Sequence, residues 1–397
     1  MISKKVKEIA PSLTLEITAK AKKMKAEGIS VIGFGAGEPD FNTPDYIIES
    51  AKKALDIGFT KYTPASGTVE LKKAICNKFK VDNGLDYTPE QIVVSSGAKS
   101  SLYHAICALV DDGDEVILPS PYWLTYPELV NLAGGKVVLV KAGKENGYKI
   151  TASQLKDAIT DKTKCLILNS PNNPTGAVYS EDEIKAIAKV CEESGIYVIA
   201  DEIYEKLVYA GETHYSIAKV NDYMKEHTVI VNGMSKTYSM TGWRIGYIAA
   251  PVKIAKAVSS MQSHTTSNAC SIAQYASVTA LEDERGVEFI SNMQKVFDER
   301  RKLMLEILSD VDDIVCATPK GAFYVFIDVS KLYGKSFEGQ VINGSLSFAD
   351  CALKKGVALI PGVAFGDDNC IRLSYAISND DIREGLARFK AFIKELK

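Results

Sequence analysis

From about residue 46 onward, short runs rich in β-branched residues alternate with stretches of helical periodicity. This alternation constrains the fold more than any other feature, because parallel strands need a crossover, usually a helix, between one and the next. Strands are expected at Gln91–Ser95, Glu115–Leu118, Lys136–Val140, Lys164–Leu168, Tyr197–Ala200 and Thr228–Val231, and helices at Lys99–Val110, Ala152–Ile159 and Ser180–Ser194. Another apolar segment follows Gly242, then long amphipathic helices from about Val252 to Asp310. The texture changes near Cys316, where strands around Phe323–Asp328, Val357–Ile360 and Ile371–Leu373 precede a closing helix, Asp380–Lys397. The pattern predicts an α/β protein with a parallel sheet, followed by a smaller α+β domain. The helix around Leu15–Glu27, stopped by Gly28, is expected to pack with that domain.

Open α/β sheets bind ligands at the carboxyl ends of their strands, so polar residues just beyond each apolar run are the candidates. Gly97 follows QIVVSS and opens a helix whose free N–H groups can hold a phosphate; an ordinary strand-to-helix turn would look the same. Asn173 lies in the stretch Asn169–Gly176, where two prolines stiffen the loop, although turn chemistry alone explains an Asn-Pro pair. Asp201 ends the run YVIA, where a carboxylate is costly unless a cation meets it, or else it caps the next turn. Tyr204 lies on the same side of that turn.

Lys236 follows TVIVNGM, and burial beside other cations can lower its pKa enough to yield a neutral amine. Lysine is abundant here, so a solvated role is the plain alternative. Arginine is scarce, with seven in the chain. Arg285, Arg300, Arg301 and Arg383 fall in helices where a solvated face accounts for them, and Arg388 reads as helix surface. Arg244 and Arg372, flanked by apolar residues, stand out as candidate anion ligands.

Other classes are disfavoured. A net charge of −3 with interleaved lysines and acids gives no field for nucleic acid. No segment has the apolar length to span a bilayer, and the first 20 residues lack a signal-peptide core, so a cytoplasmic protein is expected. The eight cysteines and four histidines show no metal-ligand spacing, so no metal is expected and the thiols read as reduced. Gly33-Phe-Gly35-Ala-Gly37 looks like a dinucleotide fingerprint, but Glu-Pro-Asp follows it where a helix is required.

Taken together, these segments resemble the class I aminotransferases of fold type I, enzymes that depend on pyridoxal 5′-phosphate (PLP), and in particular the aspartate aminotransferase group. The strongest match is Ser235-Lys236-x5-Gly242-x-Arg244. It is supported by Ala36–Phe41, Lys61-Tyr62-Thr63 with Gly67, Ser95–Lys99, Pro121-Tyr122-Trp123, the Asn-Pro-Thr-Gly stretch, Asp201–Tyr204 and Ile371–Ser374. The resemblance implies a large domain, residues 46–290, with a mostly parallel seven-stranded sheet flanked by helices. It also implies a small domain, 291–397, against which segment 1–45 packs.

It further implies that Lys236 carries PLP as a Schiff base and moves the substrate α-proton. Asp201 would pair with the ring nitrogen, and Tyr204 and Asn173 with the phenolic oxygen. Ala98 and Lys99 backbone amides beside Gly97, with Ser235 and Arg244, would hold the phosphate, and Trp123 would stack on the ring. Arg372 would grip the substrate carboxylate, helped by Gly37 and Asn173. Tyr62 would reach the phosphate of a neighbouring subunit, which makes a homodimer the expected assembly. Lys99, Ser12 and Thr14 match positions that read a distal carboxylate, so ping-pong transfer from aspartate to 2-oxoglutarate is the expected reaction. Alternatives on the same scaffold are transamination of aromatic residues, alanine or prephenate, and a PLP-dependent C–S lyase. A PLP-binding regulator would need an added DNA-binding domain, for which the chain is not expected to have room.

Overall fold

Each apolar run that alternates with helical sequence becomes a strand of one sheet in the computed structural model, which describes residues 2–7 and 9–397. These are β1 Ile92–Ser95, β2 Glu115–Ser120, β3 Lys136–Lys141, β4 Thr163–Asn169, β5 Tyr197–Asp201, β6 Thr228–Gly233 and β7 Gly246–Ala249. Their spatial order is β1-β7-β6-β5-β4-β2-β3, and only β7 runs antiparallel to its neighbours. Helices cover both faces, which is why the central strands read as continuous apolar runs. Along β4, Cys165 and Ile167 enter the core on one face, while Leu166 and Leu168 enter the core on the other. The edge strand β3 instead exposes Lys136 and Lys141, which discourages pairing with another chain.

A second, antiparallel sheet is built from β8 Val315–Cys316, β9 Tyr324–Asp328, β10 Ile360–Pro361 and β11 Cys370–Ser374, in the order β10-β11-β9-β8. The strand expected over Val357–Ile360 divides in two. Val357–Ala358 pairs in parallel with Ile32–Gly33, while Ile360–Pro361 pairs with β11, so the chain changes sheets at buried Leu359. Helix α1, Leu13–Ala26, rests on this part of the protein, with Ala21 against Leu353 and Ala358.

The long helical stretch after Val252 is three helices, Val252–Thr265, Ser271–Glu282 and Arg285–Leu308. They break at Ser267, whose φ is +58°, and at Asp283, whose carboxylate caps the Arg285 N–H at 3.0 Å. Solvation does not account for two of the helical arginines. Arg301 is buried on Asp298 and the Pro319 carbonyl, and Arg300 forms a two-pronged pair with Asp40 at 2.7 and 2.8 Å, tying the last of these helices to the loop before residue 41. No disulfide joins any two of the eight cysteines among the described residues. No helix among the described residues is long and apolar enough to cross a membrane.

Candidate active site

Because β1, β2, β4, β5 and β6 run in one direction, their carboxyl ends share one edge of the sheet with the start of β7. Gly97, Asn173, Asp201, Lys236 and Arg244 all leave the sheet there. Asn173, Asp201, Lys236 and Arg244, with Ala98 next to Gly97, border a cavity of about 640 Å³, closed on its far side by α1, Gly35–Glu38, Tyr324 and Arg372.

Asp201 is the last residue of β5 and is 3% exposed. Burial pushes its carboxyl up to about 6, against the pull of hydrogen bonds from the Tyr126 hydroxyl at 2.7 Å and the Ile203 N–H at 3.2 Å. Lys236 stands in a short helical turn after β6, with its ammonium on the Gly37 carbonyl. Burial, aided by the charges of Arg372 and Arg244, lowers it to about 8 even though Glu38 and Asp201 pull the other way. An amine of that kind loses its proton near neutral pH, as a nucleophile or general base must.

Arg372 lies mid-strand in β11, 2% exposed, with its guanidinium carbon 4.3 Å over the Tyr324 ring and 5.0 Å over that of Phe365. Its Nη1 donates to Asn173 Oδ1 and its Nη2 to the Gly35 carbonyl, each at 3.0 Å, while Nε has no partner. No carboxylate among the described residues forms an ion pair with it, and burial alone lowers its pKa. A buried cation so placed is a receptor for an anion.

At the other end of the cavity, helix α2, Ala98–Leu109, points its N-terminus inward. The N–H groups of Ala98 and Lys99 head the helix, where no preceding turn supplies acceptors. Arg244 folds over this turn: a side chain at Gly97 would come within 2.1 Å of its Nη2, and one at Gly246 would strike the Ala98 nitrogen at 2.1 Å. Glycine at 97 leaves room for this cation, and glycine at 246 lets the strand backbone approach the helix start. The cation lies beside a helix dipole of the same sign, an arrangement that is repulsive until an anion sits between them. The Ser235 hydroxyl borders the same space.

The profile of the aminotransferase class I and II family matches residues 29–389. The chain belongs to that family. It is a PLP-dependent aminotransferase, and its fold is that of the solved aspartate aminotransferase from Rhizobium meliloti, 40% identical with a TM-score of 0.96 over 100% of both chains. The Thermus thermophilus aspartate aminotransferase with maleate is also 40% identical, with a TM-score of 0.94 over 99% of each chain. In sequence, the aspartate aminotransferase of Bacillus subtilis is 47% identical over 99% of both chains. The aspartate/prephenate aminotransferase of Cereibacter sphaeroides is 45% identical over 98% of both.

PLP fits the site. The cationic turn at Gly97 suits its phosphate, the unpaired Asp201 suits a protonated ring nitrogen, and Lys236 suits its aldehyde. Trp123 and Lys99 also line the aminotransferase cavity, the Lys99 ammonium 4.9 Å over the Trp123 ring, and Thr14 borders it from α1. Ser12 is not in the lining. It bonds Thr14 instead, hydroxyl to hydroxyl at 2.9 Å. Tyr62 is 91% exposed and does not enter its own chain's cavity.

Sequence reasoning missed Tyr126, Tyr324 and Glu38, whose Oε2 accepts from the Thr241 hydroxyl at 2.6 Å. It also missed a buried cluster behind the site, Glu202, Glu205 and His214. There the Lys78 ammonium pairs with Glu205. Although burial opposes ionisation, Lys78, His214 and Asn83 hold the Glu205 carboxyl down at about 2. With a lysine already in place, the cluster reads as an ion-pair network rather than a metal centre.

Proposed function

We propose that this aminotransferase moves the amino group of aspartate to 2-oxoglutarate, with PLP carried on Lys236. The observation that supports this most is a pair of buried charges without an ion-pair partner, anionic Asp201 and cationic Arg372, lining the same cavity as an amine lowered to about 8. Bound PLP supplies an electron sink for the α-carbon electrons and a carrier for the amine between two half-reactions. The chain's residues do the rest. Asp201 holds a proton on the ring nitrogen, and the amides of Ala98 and Lys99, the Ser235 hydroxyl and Arg244 anchor the phosphate. Trp123 covers the ring, and Tyr204 and Asn173 face its phenolic oxygen. Lys236 Nζ, once released, takes and returns the α-proton. Arg372 grips the α-carboxylate with Gly37 and Asn173, and Lys99, with Thr14 and Ser12, reads the distal carboxylate.

The solved relative holding maleate, itself a dicarboxylate, and the relatives named for aspartate support this choice of substrate. We read the assembly as a cytoplasmic homodimer in which the exposed Tyr62 reaches the partner's phosphate, with segment 1–45 and domains 46–290 and 291–397 in each subunit. The test is a panel of amino donors with 2-oxoglutarate, following glutamate, with prephenate included among the acceptors. Aspartate should give the largest kcat/KM. Pyruvate and ammonia released without an oxoacid would mean a lyase instead.

A further inference from the structure

Tyr324 lies in β9, fully buried, with its ring beneath Arg372 and its hydroxyl 2.9 Å from that of Tyr204. The same hydroxyl faces the cavity, since a side chain added at Gly37 would meet it at 3.8 Å. No other hydrogen-bond partner is found for either phenol among the described residues. Each phenol has one proton, so one hydroxyl donates to the other and a single O–H is left for the cavity. Which of the two keeps it decides what the site can do. The Arg372 cation stacked on Tyr324 favours negative charge on that ring, which makes Tyr324 the better donor of the two.

We propose that Tyr324 is a positioning residue that donates to Tyr204 and thereby commits the Tyr204 proton to the phenolic oxygen of the cofactor. The inference rests on the reading that PLP is joined to Lys236 with Tyr204 at that oxygen. Without the Tyr324 hydroxyl, Tyr204 is free to rotate, and it loses the polarisation that strengthens its own donation.

The test uses holoenzyme and the pH midpoint of the cofactor's visible absorption band, which reports the proton shared with the phenolic oxygen and does not depend on turnover. Tyr204→Phe should raise the midpoint, because the deprotonated form loses its donor. Tyr324→Phe, which keeps the ring under Arg372, should raise it by a smaller amount, roughly half a pH unit for one neutral hydrogen bond relayed through an oxygen. In the Tyr204→Phe background, Tyr324→Phe should add nothing, since its effect passes through the missing hydroxyl. An unmoved midpoint in Tyr324→Phe, or an effect of equal size in both backgrounds, overturns the proposal and leaves the cofactor reading intact. If Tyr204→Phe itself leaves the midpoint unchanged, the assignment of Tyr204 falls and the proposal with it.

Discussion

Asp201 should destabilise the cofactor-free protein, and removing its charge should reveal by how much. Burial carries its carboxyl from the ordinary 3.8 to about 6. At about 1.4 kcal/mol for each tenfold change in ionisation, the folded chain bears a cost of about 3 kcal/mol when Asp201 is charged. The folded-state pKa is the higher one, so between pH 4 and pH 6 the folded chain holds a proton that the unfolded chain has released. The stability this confers is complete below the unfolded pKa and is lost as pH rises through 6. Asparagine has no such term, and the Tyr126 hydroxyl can turn to suit the amide. Cofactor-free Asp201→Asn is therefore expected to exceed the wild type by up to about 3 kcal/mol at pH 8, with the gap closing toward pH 4. Urea denaturation of both proteins across that range measures it. Added PLP should then raise the wild-type midpoint more than the variant's, because only the carboxylate recovers its cost from a ring cation. A variant no more stable than wild type at pH 8, or a difference indifferent to pH, refutes the argument.

Three further outcomes follow from contacts already described. Arg372→Lys retains the charge but loses the planar fork, and kcat/KM for all carboxylate substrates should fall roughly 100-fold, the equivalent of about two charged hydrogen bonds; steady-state kinetics would show it. Glu205→Ala leaves the buried Lys78 ammonium with only the Asn83 amide oxygen at 2.8 Å and the more distant Asp82 carboxylate at 3.9 Å, and should cost about 3 kcal/mol in denaturation experiments, well beyond any loss expected at an exposed pair. Lys99→Ala should lower kcat/KM for aspartate by about tenfold and leave alanine unaffected, as for one charged contact; equal kinetics with aspartate would remove Lys99 from the distal-carboxylate site.

What could be read from sequence was whatever lies in register with a strand end. Asp201, Lys236 and Asn173 each follow an apolar run, and one rule about carboxyl ends brings them to a common edge. Strand boundaries held to within a residue or two for the same reason, with polar residues punctuating continuous apolar segments. Contacts between distant segments had no such signal. Tyr126 meets Asp201 from a helix 75 positions away, and Arg372 meets Asn173 across 199, so neither spacing nor periodicity links them. Arg300 and Arg301 misled because helical arginines are usually solvated, and only tertiary structure places Asp40 and Asp298 within their reach. The network of Lys78, Glu205 and His214 was hidden because charged residues on amphipathic segments look the same whether they end in water or in the core.

The division of the site between two sheets bears on how tightly it binds carboxylates. Asp201 ends a strand of the large sheet and Lys236 lies in the turn just after another, while Arg372 belongs to the small sheet, and the hydrogen bonds from Arg372 to Asn173 and to the Gly35 carbonyl set where the guanidinium sits between them. Little slack is left at that point. A side chain on Gly35 would press to 3.1 Å on the Cδ1 of Ile360, which is the residue paired with Arg372 in the neighbouring strand. Two fixed acceptors and two aromatic rings thus hold the cation, dehydrated and oriented, before any substrate arrives. The desolvation cost of the guanidinium falls on folding rather than on binding, so an incoming carboxylate gives up only its own water. A lysine in its place would keep its charge but could recover hydration and choose among several orientations, which is why so nominal a change as Arg372→Lys should reach well beyond the loss of one hydrogen bond.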